Sequence, residues 1–289
     1  MSIIQLDRIA ETLQDVASEL VLPAYRNLAA GDVREKTPGD LVTIIDEQVE
    51  AALAIRLPAL LPGSILIGEE SVHRNPDLLK GLGAEYVWLL DPLDGTGNFV
   101  KGLPHFAIML ALLRRGHAVA SWIFAPVSGA LVMAEQGSGV FYQDTRQTGQ
   151  QNKRIALAAN MAGQDLAGVV YSRYMPDDVR QWVMTRADES FRTHQPRGAA
   201  AAEYPRLLRR EVDFLLYWRT LPWDHVPGVL MVNEAGGRAQ RLDGRPYTAL
   251  DQGFGLLVAS DDEAWERVLQ RLEMKEMREG NLDDHPFKS

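Results

Sequence analysis

Tyr86-Val-Trp-Leu-Leu90 is an apolar run that stops abruptly at Asp91-Pro-Leu-Asp-Gly95. A short, continuous apolar stretch closed by turn chemistry is the pattern of a buried strand, and strand-like and helix-like segments alternate to either side of it. Upstream, Leu6, Ile9, Leu13, Val16 and Leu20 step by threes and fours, as in an amphipathic helix packed on a core. A polar turn, Lys36-Thr-Pro-Gly-Asp40, leads into strand-like Leu41-Val-Thr-Ile-Ile45, and Asp46 opens a second helical pattern through Val49, Leu53 and Leu57. Ser64-Ile-Leu-Ile67 reads as a short strand running into Gly68-Glu-Glu-Ser71. Downstream, 106–113, 119–125, 130–135, 169–171 and 213–217 read as strands, and 177–188 and 199–210 as helices. Trp223-Asp224 opens a helix that stops at Gly236-Gly237. Ser260-Asp-Asp-Glu263 has capping-box spacing for a last helix. The expectation is one mixed α/β domain over 1–273, with lobes of about 1–150 and 151–273 meeting in the Gln-, Gly- and Thr-rich stretch 145–153, and a charged tail at 274–289.

Composition narrows the chemistry. Hydrophobic residues make up 46% and charged residues 24%, the balance of a well-cored globular chain rather than a disordered one. Cysteine is absent, which excludes disulfide scaffolds, zinc ribbons and thiol nucleophiles. The apolar stretch from Ala107 to Leu113 is far short of the ~20 residues a membrane span needs. Polar residues break up the first helix, so no signal-peptide layout is read there and a cytoplasmic location is expected. The net charge of −9 argues against non-specific nucleic-acid binding, which depends on cationic contacts to phosphates.

Three acidic clusters fall at element boundaries, where functional groups are displayed on a rigid frame. Glu69-Glu70 follows a strand, Asp91 and Asp94 close another, and Asp224 stands at the mouth of a helix, where it also fits an N-cap. Asp91 and Asp94 are held close by Pro92 and repel one another unless a cation lies between them. Oxygen ligands without Cys or paired His suit Mg²⁺ better than zinc. Gly95-Thr-Gly-Asn98 then offers backbone N–H groups to an oxyanion, although it is neither a Walker loop nor a dinucleotide fingerprint. The six histidines lack metal-site pairing and read as packing or surface residues, with His225, beside Asp224, the one to watch. No Gly-x-Ser-x-Gly elbow is present.

Taken together, Gly68-Glu-Glu-Ser71, Asp91-Pro-Leu-Asp-Gly-Thr96 with Asn98-Phe99, Trp223-Asp224 and Glu234-Ala-Gly-Gly237 resemble the inositol monophosphatase family of Mg²⁺-dependent, typically lithium-sensitive phosphatases. Asp40-Leu-Val-Thr43 with Asp46 resembles the same family's N-terminal motif, so the likeness covers about residues 5 to 272. The resemblance implies a layered αβαβα sugar-phosphatase sandwich, usually a homodimer, acting on a small phosphate ester. It implies that Glu69, Asp91 and the Leu93 carbonyl hold one Mg²⁺, that Asp91, Asp94 and Asp224 hold a second, and that a weaker third ion sits near Glu69. It further implies that Thr96, hydrogen-bonded to Asp46, orients the attacking water with Glu69, and that the Gly95 and Thr96 amides bind the phosphate.

The substrate wall departs from that pattern. Tyr217 stands where inositol-hydrolysing members place a glutamate, Ala199 after Gly198 where they often carry Ser or Thr, and Gly97 is smaller than usual. Gly198, Ala199, Tyr217 and Asp224 are the expected substrate-facing residues. Tyr217-Trp218-Arg219 would make an aromatic and cationic wall suited to a larger or doubly charged ligand, or is a strand end that simply packs. Relatives of the fold cleave 3′-phosphoadenosine nucleotides, fructose 1,6-bisphosphate or histidinol phosphate, and some act as regulatory binding proteins, so these remain alternatives.

Overall fold

The computed structural model describes residues 5–29, 31–147, 152–157, 165–250 and 253–274. The chain begins with α1 (Leu6–Val16), a π-helical turn (Ala17–Val21), α2 (Leu22–Ala24), the hairpin β1 (Val33–Thr37) and β2 (Asp40–Thr43), and α3 (Ile44–Leu60). Next come β3 (Ile65–Gly68), α4 (Glu69–Arg74), a 3₁₀ stretch (Pro76–Gly83), β4 (Val87–Asp94) and α5 (Thr96–Val100). A meander follows through β5 (Ala107–Arg114), β6 (His117–Ala125), β7 (Ala130–Glu135), β8 (Gly139–Asp144) and β9 (Lys153–Ile155). The rest comprises β10 (Ala167–Tyr171), α6 (Asp177–Ser190), β11 (Arg192–Thr193), α7 (Ala200–Leu208), β12 (Phe214–Tyr217), α8 (Pro222–Glu234), β13 (Arg238–Arg241), β14 (Leu256–Ala259) and α9 (Asp262–Arg271).

Alternation along the strands produces the layers, because successive side chains of a strand point to opposite faces. On β4, Trp88 and Leu90 join Ile9, Leu13, Val49 and Leu53 of α1 and α3, whereas Val87 and Leu89 join Tyr204, Leu207, Val229 and Val232 of α7 and α8. On β12, Leu215 and Tyr217 face that same central layer, while Phe214 and Leu216 pack on Val179, Val183, Trp265 and Val268 of α6 and α9. The seven-stranded sheet runs β3-β4-β5-β6-β7-β8-β9 and the five-stranded sheet β11-β10-β12-β14-β13. The order is therefore helices, sheet, helices, sheet, helices, the αβαβα sandwich expected from the resemblance. α8 lies between two sheets and buries nearly its whole circumference, so it shows no one-sided apolar stripe.

Several boundaries differ from the sequence expectation. The second helix starts at Ile44, not Asp46: Thr43 is its N-cap and Asp46, in the third helical position, closes a capping box back onto Thr43. Asp261, not Ser260, caps α9 by accepting from the Ala264 amide. The first helix is interrupted by the π turn at Ala17–Val21. Strands β1, β8, β9, β11, β13 and β14 are additions to the sequence reading; β9 belongs to the first sheet and begins at Lys153, the last residue of the stretch 145–153. Part of that stretch, 148–151, and the tail beyond Met274 lie outside the described residues.

Candidate active site

A bulge builds the centre. Asp91 opposes Met109 across the β4–β5 ladder and Asp94 opposes Ala107, so β4 carries one extra residue between them. Pro92 sits there at no hydrogen-bonding cost, since a bulge asks for no ladder N–H. The Leu93 amide donates to Asp91 Oδ1 at 2.9 Å, fixing that carboxylate against the bulge. The chain then turns sharply at Gly95, where φ is 93°. A Cβ there would lie 2.7 Å from the His105 carbonyl oxygen and 2.9 Å from Ala199 Cβ, so only glycine fits. Thr96 follows, its hydroxyl 3.0 Å from both Asp46 Oδ1 and the Leu93 carbonyl oxygen. Asp46 is anchored in turn by the Thr43 amide at 2.8 Å and the Thr43 hydroxyl. Burial lifts the Asp46 carboxyl to about 6 despite those hydrogen bonds.

Glu69 arrives from the parallel pair β3–β4. Behind it, Glu50 of α3 accepts from the amides of Glu70 (2.9 Å) and Ser71 (2.8 Å), satisfying the first turn of α4. Gly68 permits this approach, because a Cβ there would lie 2.1 Å from Glu50 Oε2. Asp224 comes from α8, in the layer between the two sheets. It is not the N-cap that its position suggested: Leu221 holds that place, and Asp224 stands in the first turn of α8. Its carboxylate instead meets those of Glu69 and Asp91, with one oxygen of each within 4.8 Å of the others.

Asp94 stands beside this trio without joining it. Its Oδ2 accepts from the Ala201 amide at the start of α7, and it lines the same cavity as Asp224. Burial, reinforced by Glu69 and other nearby acids, lifts Asp94 to about 7 and Asp91 and Asp224 well above the ordinary carboxyl range. Such crowding is the electrostatic mark of a cation site or of a proton-sharing carboxyl pair. Lys36 of β1 offsets part of it, with Nζ 2.7 Å from Glu69 Oε1 and 2.9 Å from Glu70 Oε1 and its side chain only 5% exposed. Burial opposes the Lys36 charge, but Glu69 and Glu70 outweigh it and hold the ammonium above its ordinary pKa. Burial also lifts Glu70, to about 7. The side chains that converge on the centre, Glu69, Asp91 and Asp224, offer carboxylate oxygens, which fits a hard divalent cation.

A cavity of about 530 Å³ opens from Asp94 and Asp224 toward Gly198, Ala199, Tyr217 and Arg219. Gly198, at φ 80°, and Ala199, the N-cap of α7, are held there by Asn98, whose Nδ2 donates to the carbonyls of His105 (2.6 Å) and Arg197 (2.8 Å). Tyr217 is buried, its ring centroid 4.9 Å from that of Tyr171 and 4.5 Å from that of His225. His225 packs rather than ligates: Nδ1 is 3.1 Å from the Tyr204 hydroxyl, and burial holds the ring neutral, down to about 3. Trp88, Trp122 and Trp223 are core residues, as expected. Sequence reasoning missed Arg173 and Tyr174, which no motif marks, and named Lys36 and Asn98 without giving either a structural role.

Comparison with known proteins agrees with this geometry. The model of the inositol monophosphatase family matches residues 4–277. A Thermotoga maritima fructose-1,6-bisphosphatase/inositol-1-monophosphatase is 30% identical over 76% of this chain and 79% of its own. The Nus factor SuhB of Vibrio cholerae is 29% identical over 89% and 91%. The solved structure of a Thermotoga maritima IMPase superposes with a TM-score of 0.73 at 26% identity, covering 93% of this chain and 98% of that one. A family match over nearly the whole chain, on a sandwich that gathers the motif acids at one cavity, has one meaning: the chain belongs to the inositol monophosphatase family.

Proposed function

We propose that this phosphoric monoester hydrolase is a Mg²⁺-dependent phosphatase of a small sugar or polyol phosphate, myo-inositol monophosphate among the candidates, cleaved by in-line attack of water. The observation that carries the reading is the convergence of Glu69, Asp91 and Asp224 from three separate elements onto one point. Isolated carboxylates are costly to bury so close together, and a divalent cation removes that cost. Glu69, Asp91 and the Leu93 carbonyl would hold one Mg²⁺ and Asp91, Asp94 and Asp224 a second, with room near Glu69 for a weaker third. Bound Mg²⁺ supplies the Lewis-acid charge that acidifies water and steadies the leaving oxygen.

The chain's own groups do the positioning, which phosphoryl transfer chiefly asks for. Thr96 donates a hydrogen bond to Asp46, so its oxygen lone pair is free to accept a hydrogen bond from the attacking water and orient it. Glu69 fixes the same water from the other side. The Gly95 and Thr96 amides receive the phosphate oxygens, and Gly198, Ala199, Tyr217 and Asp224 face the rest of the ester. The working unit in this reading is a single phosphatase domain over 1–273, paired as a homodimer.

Phosphate release from a panel of sugar, inositol, nucleotide and amino-alcohol phosphates, with and without Mg²⁺, tests the proposal. Mg²⁺-dependent release from a sugar or polyol phosphate is expected, and release that is strongest without the ion would refute it. A regulatory role without catalysis is the competing reading, favoured by the likeness to the Nus factor SuhB. It leaves the convergent acids without a purpose, and no turnover anywhere on the panel would support it.

A further inference from the structure

One aromatic ring in the cavity wall holds two positive charges. The guanidinium carbon of Arg219 lies 3.8 Å from the Tyr174 ring centroid, and that of Arg173 lies 5.2 Å from the same centroid. A guanidinium is charged at every accessible pH, so two gathered on one ring repel each other, and the π face offsets only part of that. Among the described residues no carboxylate forms an ion pair with either. Arg173 spends one N–H on the Gly39 carbonyl of the β1–β2 turn, at 3.0 Å, and the Arg219 guanidinium packs on the ring. Asp188, also at the cavity, is engaged by the Thr193 hydroxyl at 3.0 Å. Both arginines and Tyr174 line the same cavity as Asp94 and Asp224, and the charge of Arg219 is felt at Asp224.

We propose that Arg173 and Arg219, seated on Tyr174, bind a second anionic group of the substrate, so that the preferred substrate is a phosphate monoester carrying a further phosphate or carboxylate. The proposal rests on the phosphatase reading above and specifies its substrate class. A planar guanidinium matches either anion with paired hydrogen bonds, and a volume of about 530 Å³ is that of an ordinary small-molecule site. The placement separates the roles of the two anions. The ester phosphate goes to the acidic end, where cations and amides are needed to receive it. The second anion goes to the end where positive charge is already built in.

The test compares kcat/KM, with Mg²⁺ present, for a sugar bisphosphate, a phosphorylated hydroxy acid and the neutral-bodied myo-inositol 1-phosphate. Wild type, Arg219→Gln, Arg219→Lys and Arg173→Gln are measured; Arg173 is exposed, so its variant does not disturb the core. The wild type is expected to favour a doubly anionic ester by about tenfold or more. In Arg219→Gln and Arg173→Gln that ratio falls by about tenfold, carried by KM, and Arg219→Lys retains part of it. The bisphosphate and hydroxy-acid arms tell which anion the seat takes. Release from all three esters with no preference, or an equal loss on every substrate in both glutamine variants, overturns the second-anion seat while leaving the phosphatase reading standing. No release from any of them overturns both.

Discussion

The two ends of the cavity are built in different ways. At the acidic end, backbone constraints place each functional group: a proline bulge for Asp91 and Asp94, a glycine turn for the Thr96 hydroxyl, a buried cap for Glu69 and the first turn of α8 for Asp224. At the cationic end, side chains alone decide the surface. Arg173 and Tyr174 follow β10, and Arg219 follows its parallel neighbour β12, at the carboxyl ends of strands where loops change without disturbing a sheet. Chemistry is thus locked into the frame, and selectivity hangs on loops that one substitution can rewrite. If so, damage at the acidic end lowers turnover on every substrate alike, and damage at the cationic end changes which substrate is preferred.

The largest effect is expected from Asp94→Asn. If Asp94 holds an ion as proposed, removing its charge is expected to lower kcat by roughly a hundredfold or more, equally across substrates, with an unchanged far-UV circular dichroism spectrum. Wild-type turnover would reject the assignment, and a substrate-dependent loss would blur the division between the two ends. Thr96→Val should come next, at about 10²-fold in kcat, because the link to Asp46 is lost. The rise in Tm on adding Mg²⁺ should survive that substitution. Should it vanish, Thr96 acts through the Leu93 carbonyl, which its hydroxyl also contacts at 3.0 Å.

A pH series distinguishes the ends without any substrate. Burial and mutual repulsion push the acidic-end carboxyls up, Asp94 from near 3.8 to about 7. In metal-free protein the folded state then holds protons that the unfolded chain releases. The stability contributed by these groups is full below about pH 4 and is lost as pH climbs through 7. In the proposed reading Mg²⁺ takes the place of those protons, so the gap in Tm between Mg²⁺ and EDTA should be small at pH 5 and reach roughly 5 °C by pH 7.5. Reading the gap cancels groups elsewhere in the chain. A gap that narrows with rising pH would mean that the carboxylates are not where the ion binds.

Much of the acidic end was legible in the sequence because its determinants are local. Asp91-Pro-Leu-Asp-Gly95 announces the end of a strand and a turn within a few residues, whereas the bulge at Pro92 is seen only in the structure and the five-layer order was implied by the family resemblance alone. The cap misread at Asp224 shows the limit: composition alone cannot say whether an acid in a first helical turn serves the helix or meets acids from other elements. The hidden strands β13 and β14 are only four residues each, too short for an alternating pattern to show. The cationic end was half legible. Arg219 stood out beside Tyr217, but Arg173 and Tyr174 lie far from it in sequence and meet it only because β10 and β12 pair in parallel. No spacing rule carries that contact.

The smallest effect tests where the two ends join. Tyr217 was expected to be part of the wall, yet it is buried, and its hydroxyl finds no hydrogen-bond partner among the described residues. A buried hydroxyl left unpaired is a standing cost, and a phenylalanine of the same shape does not incur it. Tyr217→Phe should therefore leave stability unchanged or raise it by about 1 kcal/mol, which for a chain of this size is about 2–4 °C in Tm. If the hydroxyl is held unpaired to meet a substrate oxygen, KM should rise severalfold in the same variant while Tm does not fall. If Tyr217 only packs, KM stays where it was and the wall begins at Arg219. A fall in Tm of several degrees would show instead that the hydroxyl has a partner in solution, and the boundary between chemistry and selectivity would have to be drawn elsewhere.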